Sequence, residues 1–237
     1  MSSAELTSFL SPAHFPRETA VGKRVVVIDI LRASSTICSA LYHGMQSVIT
    51  LEKIEDTKGF TGEKYIRAAE RQGKTAKGFE YGNSPLSYQD KNMSNKILVL
   101  STTNGTRAVL AAQQATEILC GAFVNLNALA QYMIRQPMDS ILLCAGWRNQ
   151  PSFEDTLLAG ALVRKLKNTY TIKNDASLMA ATIYDAYSKH LFEAFKMSNH
   201  FKRLSGLGNE ADARYCAGID EAPVIPYWQK DRFVKLS

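Results

Sequence analysis

Acids and arginines follow apolar runs at several points of this chain, in an arrangement suited to a phosphorylated anion. Asp29 follows the run VVVI and Arg32 lies three residues on. The run ILVL leads into Ser101, Thr102, Thr103, Asn104, Gly105 and Thr106, with Arg107 directly behind. ILLC leads into Gly146 and Arg148, and the acid pair Glu154–Asp155 comes shortly after. Cleaving a phosphate ester requires a dianion to be held, commonly through a divalent metal, while a nucleophile approaches in line. Hard oxygen ligands suit Mg²⁺, and Asp29, Glu70, Glu80, Glu154 and Asp155 are the candidates. Hydroxyls and free N–H groups at a helix start bind phosphate oxygens, a role open to the segment 103–106. Arginines supply paired contacts to phosphate, carboxylate or sulfonate, a role open to Arg32, Arg107 and Arg148. Each residue also has a structural alternative. Asp29 can be a helix cap or a paired buried acid, Glu154–Asp155 can serve the helix dipole, and Thr103 or Asn104 can simply cap the next helix. The four histidines form no spaced ligand pair and read as structural or surface residues.

Three familiar phosphate motifs fail. QGKT at 72–75 lacks the first glycine of a P-loop, because Ala68 occupies that position. Cys144 and Arg148 are separated by three residues, too few for a cysteine phosphatase loop to wrap a phosphate. VVVIDIL is similar in part to the first motif of haloacid-dehalogenase phosphatases, but Leu31 stands where their second aspartate would be.

The elements that must position these residues alternate. Strands are expected at 23–31, 47–51, 97–100, 117–120 and 140–144, and helices at 33–42, 106–116, 127–135, 154–167 and 176–195, the last being the longest. A short helix is expected at 52–59, 65–70 is ambiguous, and 73–90 reads as a long polar loop. This alternation predicts an α/β fold with a largely parallel sheet covered on both faces. Ligands in such folds bind beyond the carboxyl ends of the strands. If the strands ending at Asp29, Ser101, Gly121 and Gly146 are neighbours, their ends share one crevice.

At 237 residues the chain suits one domain, 1–237, burying about 70% of its unfolded surface. No apolar run approaches the ~20 residues of a membrane span, and residues 1–18 lack a signal-peptide pattern, so a cytoplasmic location is expected, with no membrane partner. The net charge of +6, from 28 basic and 22 acidic residues, forms no long block. That argues against a nucleic-acid partner and suits a small anionic substrate. The four cysteines are widely spaced and read as reduced, buried thiols. A homo-oligomer is compatible with the sequence.

Four segments in series carry a resemblance. Asp29-Ile-Leu-Arg-Ala-Ser-Ser-Thr36 resembles the DxLRATTT segment of the ComB-type 2-phosphosulfolactate phosphatases. Gly78-Phe-Glu-Tyr-Gly-Asn-Ser-Pro85 is similar to their GFxxGNSP loop, and Thr102-Thr-Asn-Gly-Thr106 to their TTNGT loop. Cys144-Ala-Gly146 followed by Glu154-Asp155 is similar to their CAG…EDxLxAG segment. Beyond Gly160 the likeness is looser, in SxH at 198–200 and the late acid Asp220. The resemblance implies a three-layer α/β/α domain with a mixed sheet. It also implies a Mg²⁺-dependent phosphatase releasing 3-sulfolactate and phosphate from (2R)-2-phospho-3-sulfolactate, a step of coenzyme M biosynthesis. Asp29, Glu154 and Asp155 would then be catalytic, with Asp29, Glu80 and Asp155 on the metal. Arg32, Asn83, Ser84, Thr102, Thr103, Asn104, Gly105, Thr106, Arg107 and Arg148 would hold substrate, with help from Arg71, Lys74 or Lys77. The sequence Trp147-Arg148-Asn149-Gln150 departs from the family pattern and leaves the substrate open. Another small phosphorylated hydroxy acid or sugar phosphate is one alternative, and anion binding without turnover is another.

Overall fold

A computed structural model describes residues 3–236. The buried apolar runs form strands and the periodic segments between them form helices. Eleven strands make one mixed sheet among the described residues. They are β1 (Ala4–Phe9), β2 (Arg24–Ile28), β3 (Ser47–Leu51), β4 (Tyr65–Arg71), β5 (Lys74–Thr75), β6 (Ile97–Ser101), β7 (Glu117–Gly121), β8 (Ser140–Cys144), β9 (Tyr170–Ile172), β10 (Pro226–Gln229) and β11 (Arg232–Lys235). Their order is β5-β4-β6-β3-β11-β10-β7-β2-β8-β1-β9. The α-helices are α1 (Ala33–Tyr42), α2 (Asn104–Ala111), α3 (Leu126–Arg135), α4 (Phe153–Leu166), α5 (Asp175–Tyr187), α6 (Leu191–Met197), α7 (Asn199–Ser205) and α8 (Glu210–Cys216).

The sheet is mostly parallel but divided. β4, β6 and β3 form one parallel block, and β7, β2, β8, β1 and β9 form another. The hairpin β10–β11 lies between them and meets each block antiparallel through a single residue pair, Tyr227 with Leu119 and Phe233 with Val48. β2, β6 and β8 are buried along their whole length, as strands covered on both faces must be. α4 packs on α3 and α5 and against β2 and β8, while α1 packs against β3, β7, β10 and β11. This is the α/β/α layering expected. Every residue of α1 but Tyr42 is buried, because the 3-10 turn Pro85–Tyr88 covers its outer side.

Several boundaries differ from the sequence reading. α2 begins at Asn104 and stops at Ala111, so Thr106 lies within the helix. The long helix expected over 176–195 is two helices, α5 and α6, with the break at residues 188–190, and α4 is longer than either. The expected loop 73–90 carries the short strand β5 and the 3-10 turn that covers α1. No helix among the described residues is long and apolar enough to cross a membrane.

Candidate active site

Asp29 closes β2 at the point where two helices begin. Its carboxylate lies beside the backbone N–H groups of Ala33, in the first turn of α1, and Gly105, in the first turn of α2, which favour its charged form. Its own N–H donates to Ser34 Oγ at 2.8 Å. Of the four strand ends expected to share one crevice, the segments after Ile28, Ser101 and Cys144 line it, and the end at Gly121 does not. β6 is not a neighbour of β2 in the sheet; the amino ends of α1 and α2 bring its trailing loop to Asp29. Gly105 is required for this approach. A Cβ there would lie 2.9 Å from Ala33 Cβ and 3.0 Å from Asp29 Oδ2.

Asp29 lies at the base of a cavity of about 250 Å³, large enough for a small organic acid. Thr102, Thr103 and Asn104 line one side, Arg32 and Asn83 another, and Glu70 and Gln72 come from the end of β4. Arg107, Arg148 and Arg203 complete the lining together with Trp147 and His200. Burial, then the like charge of Glu70, raises the Asp29 pKa from 3.8 to about 7 against the helix N–H groups and Arg32. The cavity holds four guanidinium groups and two acids, and Glu70 is close enough to oppose the ionisation of Asp29.

The hydroxyls after Arg32 act as ties. Ser35 Oγ donates to Ile30 O at 3.0 Å, Thr36 Oγ1 to Asn83 O at 3.1 Å and Ser39 Oγ to Pro85 O at 2.7 Å. α1 thus holds the Asn83 loop in place. Asn83 lines this cavity, and its buried side-chain oxygen has no hydrogen-bond partner. Buried amide oxygens are normally paired, so this one is available to a ligand. Ser84, expected beside it on the substrate, instead donates to Asp212 Oδ1 at 2.6 Å and does not line the cavity. Gly105 does not line the cavity, and Thr106 Oγ1 donates to Leu51 O at 3.5 Å. Of the TTNGT segment, only Thr102, Thr103 and Asn104 face the cavity.

The remaining acids are held elsewhere. Asp155 is buried in the first turn of α4, where Oδ1 accepts from Ile30 N–H at 2.8 Å and Oδ2 from Gly146 N–H at 3.0 Å. Both oxygens are used in tying the ends of β2 and β8 together. Burial and the nearby charge of Asp29 push its pKa well up. Replacing Asp155 by Ala leaves two buried N–H groups unpaired, at about 1–3 kcal/mol each. Thermal denaturation is expected to show a loss of about 2–6 kcal/mol. Glu154 Oε2 accepts from Ser152 Oγ at 2.8 Å and its Oε1 from Ser198 Oγ. It borders an adjoining cavity of about 470 Å³ that shares Trp147, Arg148 and His200 with the first. Glu80 is exposed beside Tyr81 and does not reach Asp29. Asp29, Glu80 and Asp155 therefore do not form a set around one point. Among the described residues no group of three His, Cys, Asp or Glu side chains is placed to hold a metal.

The β8–α4 loop is tight. Trp147 and Gln150 exchange backbone hydrogen bonds at 2.9 and 3.0 Å, and a Cβ on Gly146 would lie 2.4 Å from Gln150 O. The turn presents Trp147, over which Arg148 sits at 4.6 Å and against which His200 stacks at 5.4 Å. Cation–π contact of this kind fixes a guanidinium without neutralising it. His200 was expected to be merely structural or superficial, yet it lines the cavity. Burial, with Arg203 and Arg32 nearby, lowers its pKa to about 4, so the ring is neutral at physiological pH. His200, Arg203 and Asp212 come from α7 and α8, short helices that the sequence reading did not assign. All four cysteines are free and buried, and burial raises the Cys144 thiol, in keeping with its rejection as a nucleophile.

Fold and site together define an α/β protein with an arginine-lined cleft at a strand end. Residues 9–231 match the family described as 2-phosphosulpholactate phosphatase. A protein of Caldanaerobacter subterraneus subsp. tengcongensis described as a probable 2-phosphosulfolactate phosphatase is 35% identical over 209 residues, 86% of this chain and 87% of the relative. Proteins of the same description are 38% identical over 204 residues in Thermotoga maritima, 86% and 88% of the two chains, and 34% identical over 230 residues in Parasynechococcus marenigrum, 93% and 95%. The chain belongs to the 2-phosphosulpholactate phosphatase family.

Proposed function

We propose that the protein is a Mg²⁺-dependent phosphoric monoester hydrolase acting on (2R)-2-phospho-3-sulfolactate, a step of the coenzyme M biosynthetic type. The observation that carries this reading is the cavity over Asp29, where four arginines face a ligand space small enough for a three-carbon acid. Phosphate, sulfonate and carboxylate on that acid bring several negative charges. Arg32 is already paired with Asp212 and Arg107 with Glu52, whereas Arg148 and Arg203 gather over Trp147. Membership of the family and the description of its relatives as probable 2-phosphosulfolactate phosphatases support the same substrate.

The donor set suits Mg²⁺, which commonly takes one or two carboxylates and completes its shell with water and substrate oxygens. Asp29, Glu70 and the unpartnered Asn83 oxygen are the groups that would hold it, in place of the expected Glu80 and Asp155. The opposition between Asp29 and Glu70 is what a dication relieves. Bound there, Mg²⁺ would polarise the phosphoryl group and offset its charge. The chain's own residues orient the ester. Thr102, Thr103 and Asn104 offer polar contacts, and the arginines hold the anionic ends. In the hydrolysis a water oxygen bonds to phosphorus, the ester P–O bond breaks, and the departing alkoxide takes up a proton to give 3-sulfolactate and phosphate.

Phosphate release tests this reading. 2-Phospho-3-sulfolactate is expected to be hydrolysed with Mg²⁺, to lose at least ~10-fold in rate with chelator, and to recover on adding Mg²⁺ back. Full activity under chelation would remove the metal from the reaction. Turnover of a sugar phosphate alone would assign a different substrate.

A further inference from the structure

Asp212 belongs to α8, the helix after the one that carries His200 and Arg203, and it does not border the cavity. It is nevertheless buried against the cavity's most enclosed arginine, and both of its oxygens are engaged. Oδ2 accepts from Arg32 Nη1, and Oδ1 accepts from Ser84 Oγ at 2.6 Å. Arg32 Nη2 donates to Gly73 O at 3.1 Å, and the same carbonyl accepts from Asn209 Nδ2 at 3.1 Å. Four separate segments thus meet at one guanidinium: the β2–α1 loop, the β4–β5 turn, the Asn83–Ser84 loop and the start of α8.

We infer that Asp212 is a positioning residue that fixes the Arg32 guanidinium for an anionic group of the substrate, with Ser84 holding Asp212 in turn. The inference rests on the reading that Arg32 binds the anion. Two effects oppose each other at this pair. As a charge alone, Asp212 offsets Arg32, so its removal would strengthen anion binding. As an anchor, it holds a planar donor fork in one orientation, so its removal would weaken binding. Both partners are about nine-tenths buried or more, with side-chain exposures of 4% and 6%. A buried guanidinium stripped of its acid seeks other partners, and breaking such a pair costs more than the net worth of the pair. Under this inference one such partner is another protein group, such as a neighbouring carbonyl, which turns the donor fork away from the cavity; the sign of the change in phosphate binding decides between the two effects. Asn at 212 can still accept from Arg32 and meet Ser84, so it keeps the orientation while losing the charge.

The test is binding of inorganic phosphate to the full chain by calorimetry, with the melting temperature of each variant as a control. Its readout does not need turnover, so it stands even if the protein hydrolyses some other ester. Asp212→Ala is expected to weaken phosphate binding at least ~10-fold and Asp212→Asn to stay within ~3-fold of wild type. The Asp212→Ala loss should vanish in an Arg32→Gln background, because partners acting as a unit are not additive. If Asp212→Ala fails to fold, Ser84→Ala decides the matter. It removes one tie and leaves the ion pair, and should weaken binding ~2–3-fold only when Arg32 is present. Tighter phosphate binding by Asp212→Ala, or a loss that persists undiminished without Arg32, would overturn the inference. With either Asp212 or Ser84 substituted, an unchanged KM for the phosphate ester beside a fallen kcat would also contradict it.

Discussion

Asp29→Asn is expected to cut turnover by roughly 10²–10⁴-fold, the range for losing a positioned acid, base or charge-holding group, while making the metal-free protein more stable at pH 8. The two effects share a cause. The carboxylate is buried beside Glu70, which raises its pKa from 3.8 to about 7. The folded state therefore binds a proton more readily than the unfolded state. The stabilisation from that proton is complete below pH 3.8 and is lost as pH rises through about 7. At about 1.4 kcal/mol per pH unit, the ionised group costs on the order of a few kcal/mol above that point. Asn carries no charge to bury. Melting curves should show the variant several degrees above wild type at pH 8, with the gap narrowing as pH falls toward 4. Mg²⁺ should stabilise wild type more than the variant. Equal turnover would remove Asp29 from the reaction, and a lower melting temperature at pH 8 would mean that the burial penalty is already met within the fold.

Gly105→Ala is expected to lower kcat/KM by about 10²-fold. The added methyl meets Ala33 Cβ at 2.9 Å, which the backbone fixes, and Asp29 Oδ2 at 3.0 Å, which can turn aside only by leaving its place in the site. Relief requires the amino ends of α1 and α2 to part, which draws the Gly105 N–H away from Asp29. Overpacking of this kind costs about 1–3 kcal/mol, and a displacement of about 1 Å at a reacting centre can cost 10²-fold. Gly59→Ala serves as the control, since nothing lies within 4 Å of its Cβ position, and it should retain wild-type kcat/KM. A Gly105→Ala enzyme that kept full kcat/KM would show that the contact between α2 and Asp29 does not matter to the reaction.

The parts of the site legible in the sequence were those written in local pattern. VVVI before Asp29 and ILVL before Ser101 read as buried strands because burial on both faces leaves a continuous apolar run. The α1 boundaries agree with the structure at both ends. The role of Asp155 was harder to read. An acid at a helix start beside a glycine loop resembles a ligand in sequence, and only the two N–H groups that occupy its oxygens show that it ties strands together. Glu70 appeared among many acids, and its pairing with Asp29 depends on the end of β4 reaching the cavity. Asp212, His200 and Arg203 sit on helices of seven residues, too short for periodicity to stand out. The hairpin β10–β11 could not be placed either, because its position between two parallel blocks depends on pairings more than a hundred residues apart.

The most direct test of the central claim compares 2-phospho-3-sulfolactate with 2-phospholactate, the same ester without the sulfonate, by phosphate release at equal Mg²⁺. A cavity with four arginines that engages all the anionic groups should favour the sulfonate by at least ~10²-fold in kcat/KM, because the shorter ester leaves charged donors unpaired. Equal kcat/KM values for the two esters would contradict the account.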